Sequence, residues 1–277
     1  MIIIANNFSV LMSVYYKEEP EHLEQALTSN LVNQTLIPNE FILVHNGELT
    51  PELDAVIEKF KKKFPEILKV CNKKFGGLGE ALNFGLSFCS NELIARSDSD
   101  DICMPFRFEK QIKFMVEHPE IDLCGSWIDE FEEKPGDSTL KRFVPETPEE
   151  IALYAQTRCP VNHPSVIFRK EAVVAVGGYQ VKYVPEDYFL WIKMIQNGSK
   201  IFNIQESLVW FRFSPDTFKR RGGWKYACDE VKTQINIYKM GFIQFPTLCR
   251  NVFIRFTTRI MPNFLREYLY KKYLRKK

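Results

Sequence analysis

Polar and apolar positions in the first hundred residues switch repeatedly between a strand period and a helix period. Phe8–Tyr16 (FSVLMSVYY) is rich in β-branched and aromatic residues and predicts a first, central strand. Glu18–Thr35 places Leu23, Ala26, Leu27 and Leu31 at helical spacing, with acids in the first turn. Phe41–Val44 predicts a second buried strand, closed by the turn residues His45-Asn46-Gly47. Thr50-Pro51 supplies an N-cap and a proline at the first helical position, and Leu53, Val56, Ile57, Phe60 and Phe64 line one face of the helix that follows. Ile67–Cys71 predicts a third strand, and Leu93-Ile94-Ala95 is the short apolar block of a strand buried on both faces. This alternation implies a parallel sheet with right-handed crossovers, an α/β protein of the Rossmann-like, nucleotide-binding kind.

Beyond residue 100 the pattern is more mixed. Pro105–His118 predicts a helix with Phe108, Ile112 and Met115 inward, and Ile121–Phe131 predicts a strand. Glu132–Phe143 (EEKPGDSTLKRF) reads as a surface hairpin or loop, and Thr147-Pro148-Glu149-Glu150 as a capping box opening a helix. Val166–Arg169 predicts a strand, Gly177-Gly178-Tyr179 ends a short helix, and Pro185–Trp191 opens an apolar helix running to Asn197-Gly198. Lys200–Phe213 alternates as a strand, and a long helix runs to about Met240. The expected division is a domain over 1–214 and a helical extension over 215–277.

Composition adds little to this picture. At 277 residues, 45% hydrophobic and 26% charged, the chain is an ordinary globular protein with room for a full core. Seven scattered cysteines without a CxxC pair argue against a zinc site or a disulfide framework and fit a reducing compartment. No signal peptide and no run of 18 apolar residues is found, so the expectation is a cytoplasmic protein. The net charge of +2 conceals an uneven distribution. From Arg250 to Lys277 there are nine cations (250, 255, 259, 266, 271, 272, 275, 276, 277) and one acid, Glu267, interleaved with aromatic and aliphatic residues. That interleaving predicts a basic amphipathic helix on an anionic membrane surface, at the cytoplasmic face of the inner membrane. A solvated basic helix and a nucleic-acid patch are the competing readings; no nucleic-acid motif accompanies the run.

The chemistry concentrates in Glu92–Pro105, where the apolar block ends in Asp98, Ser99, Asp100 and Asp101. Carboxylates at the carboxyl end of a parallel strand lie where open α/β sheets bind ligands. They repel one another unless a cation or strong donors sit among them, which suits a divalent ion bridging to phosphate. A solvated acidic turn is the alternative. Phe75-Gly76-Gly77-Leu78-Gly79 precedes a helix running to about Ser90, yet it fails the dinucleotide fingerprint because Leu82 holds the third glycine position. It reads as a tight turn at the edge of a nucleotide pocket, or as a plain loop. Glu186-Asp187 either complements a helix dipole or carries chemistry, and His163 alone reads as a hydrogen-bonded structural group.

Taken in order, FSVLMSVYY, SNLVNQT, FGGLGEALNFGL, RSDSDD with MPFRFEKQ, NHPSVIFRK, GGY and PEDYFLW resemble the family 2 glycosyltransferases of bacterial polysaccharide synthesis, amylovoran and O-antigen type. The resemblance implies a glycosyltransferase A fold with a mostly parallel mixed sheet, a nucleotide diphosphate sugar donor (UDP-sugar expected) and inversion at the anomeric carbon. The acceptor it implies is a lipid-linked or surface glycan. It assigns Mn2+ or Mg2+ to Asp98 and Asp100, with Asp101 beside them, and the catalytic base to Asp187. It implies donor contacts from Tyr15, Asn46, Gly77, Asn83, Arg96, Asp98, Arg220 and Arg221, and acceptor-side positions for Glu186, Trp191 and His163. The chain departs from the pattern in two places. His45-Asn46 stands where many relatives carry an acid that accepts uracil N3–H, and Phe213 follows Arg212 where many carry a histidine. A sugar-binding relative without turnover, and a peripheral membrane scaffold, are the alternative functions.

Overall fold

Strand β1 (Phe8–Val14) forms because nearly every one of its side chains can be buried, on both faces of a sheet. It pairs in parallel with β2 (Glu40–Asn46) on one side and β4 (Leu93–Ser97) on the other, and β3 (Leu68–Lys73) extends the sheet beyond β2. Helices α1 (Pro20–Leu31), α2 (Pro51–Lys63) and α3 (Leu78–Phe88) make the crossovers. The structure, a computed structural model, describes residues 7–181, 185–213 and 223–261. Strand order runs β3-β2-β1-β4, so it reverses between β1 and β4 and creates a switch point. Tyr15, Gly47, Lys74 and Asp98 follow directly from the carboxyl ends of these four strands.

The remaining half of the sheet is mixed. Three short or long strands continue from β4: β8 (Ile167–Arg169), β6 (Leu123–Phe131) and β9 (Ile201–Arg212). β8 is antiparallel to both β4 and β6, and β9 runs parallel to β6. β5 (Ile102–Cys103) closes the edge against β9, and β7 (Lys141–Arg142) pairs with β6 across the expected 132–143 excursion. The sheet is therefore the mostly parallel mixed one that the family resemblance implies, rather than the all-parallel sheet that alternation alone suggests.

Helices cover both faces. One apolar cluster joins Phe8, Val10 and Met12 to α1, α2 and α4 (Arg107–Glu117). The other joins Leu11, Ile42 and Val44 to α3, α5 (Pro148–Ala155), α6 (Lys170–Ala175) and α7 (Glu186–Gln196). α3 lies so close to the sheet that a Cβ at Gly85 would come within 2.4 Å of Leu11 and 2.6 Å of Val44. α5 opens on the expected capping box, with Thr147 and Glu150 satisfying each other's backbone N–H groups. Deleting one of these fully buried large side chains, as in Phe8→Ala, costs about 3–5 kcal/mol.

Two further helices, α8 (Trp224–Lys239) and α9 (Phe245–Ile260), pack antiparallel against each other. Ile237 and Ile243 meet Tyr188, Phe189 and Ile192 of α7 in a third apolar cluster. Asn251 and Arg255 donate to the carbonyls of Gln156 and Thr157 just past α5, at 2.8 and 2.7 Å. Glu230 of α8 receives Arg255 and Arg259 of α9 and locks the pair. The expected 214/215 boundary and the tail beyond Met261 lie outside the described residues.

Candidate active site

β4 delivers the acidic turn. Its last residues are buried, and Arg107 of α4, wholly enclosed, braces them by donating to Arg96 O (2.6 Å), Ser97 Oγ (3.1 Å) and Cys103 Sγ (2.9 Å). The carboxylates of Asp98, Asp100 and Asp101 bring one oxygen each to within 4.8 Å of one another. The buried Arg96 grips Asp98 through both terminal nitrogens. Asp101 accepts the Arg212 backbone N–H at 2.8 Å, and Arg212 Nε donates to Asp100 O at 3.0 Å, so the end of β9 is tied onto the turn. Ser99 donates to Glu18, which adds a fourth carboxylate beside the cluster.

The charges do not balance. Burial, then Asp98 and Glu18, push the Asp100 carboxyl up to about 7. Asp101 is pushed well up by burial and by both neighbouring aspartates, and its Oδ2 is buried without a hydrogen-bond partner. An orphaned carboxylate oxygen among all-oxygen donors fits a hard divalent cation of the Mg2+ or Mn2+ kind. The cluster sets Asp101 beside the expected pair, Asp98 and Asp100. Asp98 also pairs with Arg96, and Asp100 and Asp101 carry the carboxyls that burial and like charge raise.

The second acidic element opens α7, with Pro185 as its N-cap residue. Asp187 accepts the Tyr188 N–H at 2.8 Å and the Cys159 thiol at 3.8 Å. Burial raises the Asp187 carboxyl above the usual aspartate range, against the Tyr188 N–H, Arg142, Arg96 and the thiol, which pull it down. The thiol is itself pushed up to about 12 by burial, so it stays protonated as a donor. Glu186 is raised by burial, by Asp187 and by Asp98, and lowered by Arg96. Arg96, paired to Asp98, thus also acts on Glu186 and Asp187, and Asp98 acts on Glu186, so the two acidic elements lie within electrostatic reach of each other. Gly79 at the start of α3 makes room for this approach: a Cβ there would lie 3.3 Å from Tyr179 Cβ and 3.4 Å from Glu186 Cβ.

Other expected site residues fall into three groups. Tyr15 is exposed just past β1, and Gly77 begins α3 with open space around it. Asn46 and Asn83 have both amide atoms tied to backbone. Asn46 closes on Gly76 at 2.8 and 2.9 Å, and Asn83 closes on Tyr179 at 2.9 and 2.8 Å. They hold the glycine turn and the Gly178-Tyr179 turn in place, where φ of +67° at Gly178 requires glycine. Trp191 is a correction: it is fully enclosed in the α7 core and presents no surface to an acceptor. His163 is nearly buried and bonds Tyr179 Oη at 2.9 Å, and burial with the nearby Arg96 charge holds it well below its usual pKa, a neutral structural group. Arg220 and Arg221 lie outside the described residues. Sequence reasoning gave no role to Glu18, Cys159, Tyr179 or Arg212. Arg212 stands at the end of a predicted strand, yet its partner is 111 residues away.

A Rossmann-like parallel half, a mixed half and acids at the switch point define a glycosyltransferase A fold. Mannosyltransferase PcManGT from Pyrobaculum calidifontis, solved with GDP-Man and Mn2+, shares it at a TM-score of 0.61 and 14% identity, over 90% of this chain and 69% of that one. The family model described as Glycosyl transferase family 2 matches residues 9–176. The UDP-Gal:alpha-D-GlcNAc-diphosphoundecaprenol beta-1,3-galactosyltransferase of Escherichia coli is 41% identical over 97% of both chains. The amylovoran biosynthesis glycosyltransferase AmsE of Erwinia amylovora is 40% identical over 96% of this chain and 98% of its own. The chain belongs to glycosyltransferase family 2.

Proposed function

We propose that this enzyme moves a hexose from a UDP-sugar to a hydroxyl of a lipid-linked glycan in bacterial polysaccharide synthesis, with inversion at the anomeric carbon. The observation that carries the reading is Arg96, which pairs with Asp98 and also acts on Glu186 and Asp187, so both acidic elements lie within its reach. The names of the galactosyltransferase and amylovoran relatives support the donor and acceptor classes.

Asp187 accepts the proton of the acceptor hydroxyl as that oxygen attacks the sugar carbon, and the bond to the diphosphate breaks on the opposite face. A carboxyl raised by burial, against the donors that pull it down, is a stronger base than an ordinary aspartate. Asp98, Asp100 and Asp101 would hold Mn2+ or Mg2+, and when bound the ion supplies Lewis-acid compensation for the charge growing on the diphosphate. Arg96 fixes the Asp98 carboxylate, and Arg212 fixes the backbone of the turn, so the ligands need no rearrangement. Tyr15 and the Gly76-Gly77 turn border the donor side, and Glu186 the acceptor side.

The test is a transfer assay with UDP-galactose, UDP-glucose and their N-acetyl counterparts on a synthetic GlcNAc-diphospho-lipid, with Mn2+ or with chelator. Product formed only with metal, and carrying the anomeric configuration opposite to the donor's by NMR, is expected. Retained configuration, or full transfer under chelator, overturns the corresponding part of the assignment.

A further inference from the structure

We infer that the outer face of the α8–α9 pair is a docking surface for an anionic bilayer. α9 has two different sides. Asn251 is buried and, with Arg255, faces inward to Gln156, Thr157 and Glu230. Turned away from these are Phe245 (62% exposed), Phe253 (70%), Ile254 (51%) and Ile260 (48%), with Arg250 exposed among them. Residues 245, 249, 253, 256 and 260 recur every three or four positions, roughly one helical turn, which makes a stripe about 22 Å long. Trp224 of α8, 69% exposed, joins it through an edge contact with Phe256 at 5.3 Å. Tyr238 meets Phe245 at the other end, 6.1 Å between ring centres. Large aromatic and branched side chains in one such band are unusual on a protein that nothing covers.

Charge identifies the occupant. Phe245–Ile260 contains no acid; of its three arginines, Arg255 and Arg259 pair with Glu230, and Arg250 is exposed, as are Lys225 and Lys239 of α8 beside Trp224 and Tyr238. The two acids of α8, Asp229 and Glu230, are both ion-paired, to Lys232 and to Arg255 with Arg259, and Glu146 and Glu150 line a groove with Thr247 and Arg250. In sequence the chain runs on past Met261 with Arg266, Lys271, Lys272, Arg275, Lys276 and Lys277 against Glu267. A second copy of the chain seated on this stripe would bring the exposed Arg250, Lys225 and Lys239 of two chains together, whereas anionic headgroups neutralise them. Aromatic and branched side chains flanked by cations are the composition of helices that lie in the headgroup plane. Among the described residues no helix is long and apolar enough to cross a membrane, so the contact is lateral. This deepens the proposed action on a lipid-linked acceptor, but its test does not depend on sugar transfer.

The experiment is co-sedimentation of the full chain with phosphatidylcholine vesicles, with and without phosphatidylglycerol. Wild type is expected to bind only the anionic vesicles, and Phe253→Glu with Ile254→Glu to weaken that binding at least about tenfold, since two apolar groups leave the interface. Phe253→Ala with Ile254→Ala keeps the helix and should weaken binding less, which decides the matter should the glutamate pair fail to fold by circular dichroism. Binding unchanged in the Ala pair and in a folded glutamate pair would assign attachment to the basic segment alone and overturn the proposal. So would a wild-type dimer that the substitutions convert to monomer without altering vesicle binding.

Discussion

The two acidic elements differ in how their charge is met. At the Asp98–Asp101 turn, carboxylates face carboxylates, and Glu18 adds another from α1's approach. Arg96 answers only Asp98 fully, Asp100 is driven to about 7, and an Asp101 oxygen has no partner. At the start of α7, a backbone N–H and a thiol meet Asp187, and Arg142 and Arg96 add distant attraction. One region is built with positive charge missing, the other with its charge already tuned. A metal-binding role fits the first, and proton transfer fits the second.

The largest effect should come from the tuned region. Asp187→Asn keeps the shape of the carboxylate but cannot accept the acceptor's proton. Turnover should fall by about 10²–10⁴-fold with donor affinity nearly unchanged. Steady-state transfer kinetics alongside calorimetry with UDP would read both numbers. Wild-type turnover in this variant would mean that another group is the base.

The unbalanced region should respond in the opposite sense. Asp100→Asn removes a carboxyl whose folded pKa, about 7, lies above the value of 3.8 expected for an unperturbed aspartate. For such a group stability is present at low pH and is lost as pH climbs from about 4 to 7. At pH 7.5 without metal the variant should therefore melt higher than wild type, by at least the 2–4 °C that about 1 kcal/mol produces in a chain of this size. With Mn2+ the order should reverse, because ligand binding stabilises only the protein that can hold it. Calorimetry should also show that Mn2+ no longer improves UDP affinity. A variant that melts lower than wild type under chelator would mean that the turn is already balanced.

The parallel half was legible because its signals are local: a buried apolar run for β1 and β2, helical spacing in α1, proline at the N1 position of α2. The acidic turn was legible for the same reason, since three aspartates ending an apolar strand occupy one short segment. What could not be read were partnerships made across the fold. β8 slips between β4 and β6 by pairings of three and two residues that no period announces. Asn46 and Asn83 look like ligand groups in sequence, yet their amides close on backbone 30 and 96 residues away. Trp191 lies one helical turn beyond Asp187 on the same side of α7, yet it is fully enclosed in the core. Arg212 and Cys159 became site residues only when β9 and the segment after α5 were brought against the turn and α7.

The smallest effect tests the tuning itself. The Cys159 thiol donates to Asp187 Oδ2 and thereby favours the carboxylate, one of several groups opposing the upward push of burial. Removing it in Cys159→Ala should raise the Asp187 pKa further. The acid limb of the kcat profile should move to higher pH by less than about one unit, the worth of a single weak hydrogen bond. Cys159→Ser restores a donor and should return the limb toward its wild-type position while leaving melting temperature almost unaltered. A purely structural thiol would change stability in both variants and leave the limb where it was. The direction of the shift also discriminates between roles for Asp187. A base loses activity on the acid side as its pKa rises, whereas an acid that had to be protonated would gain there.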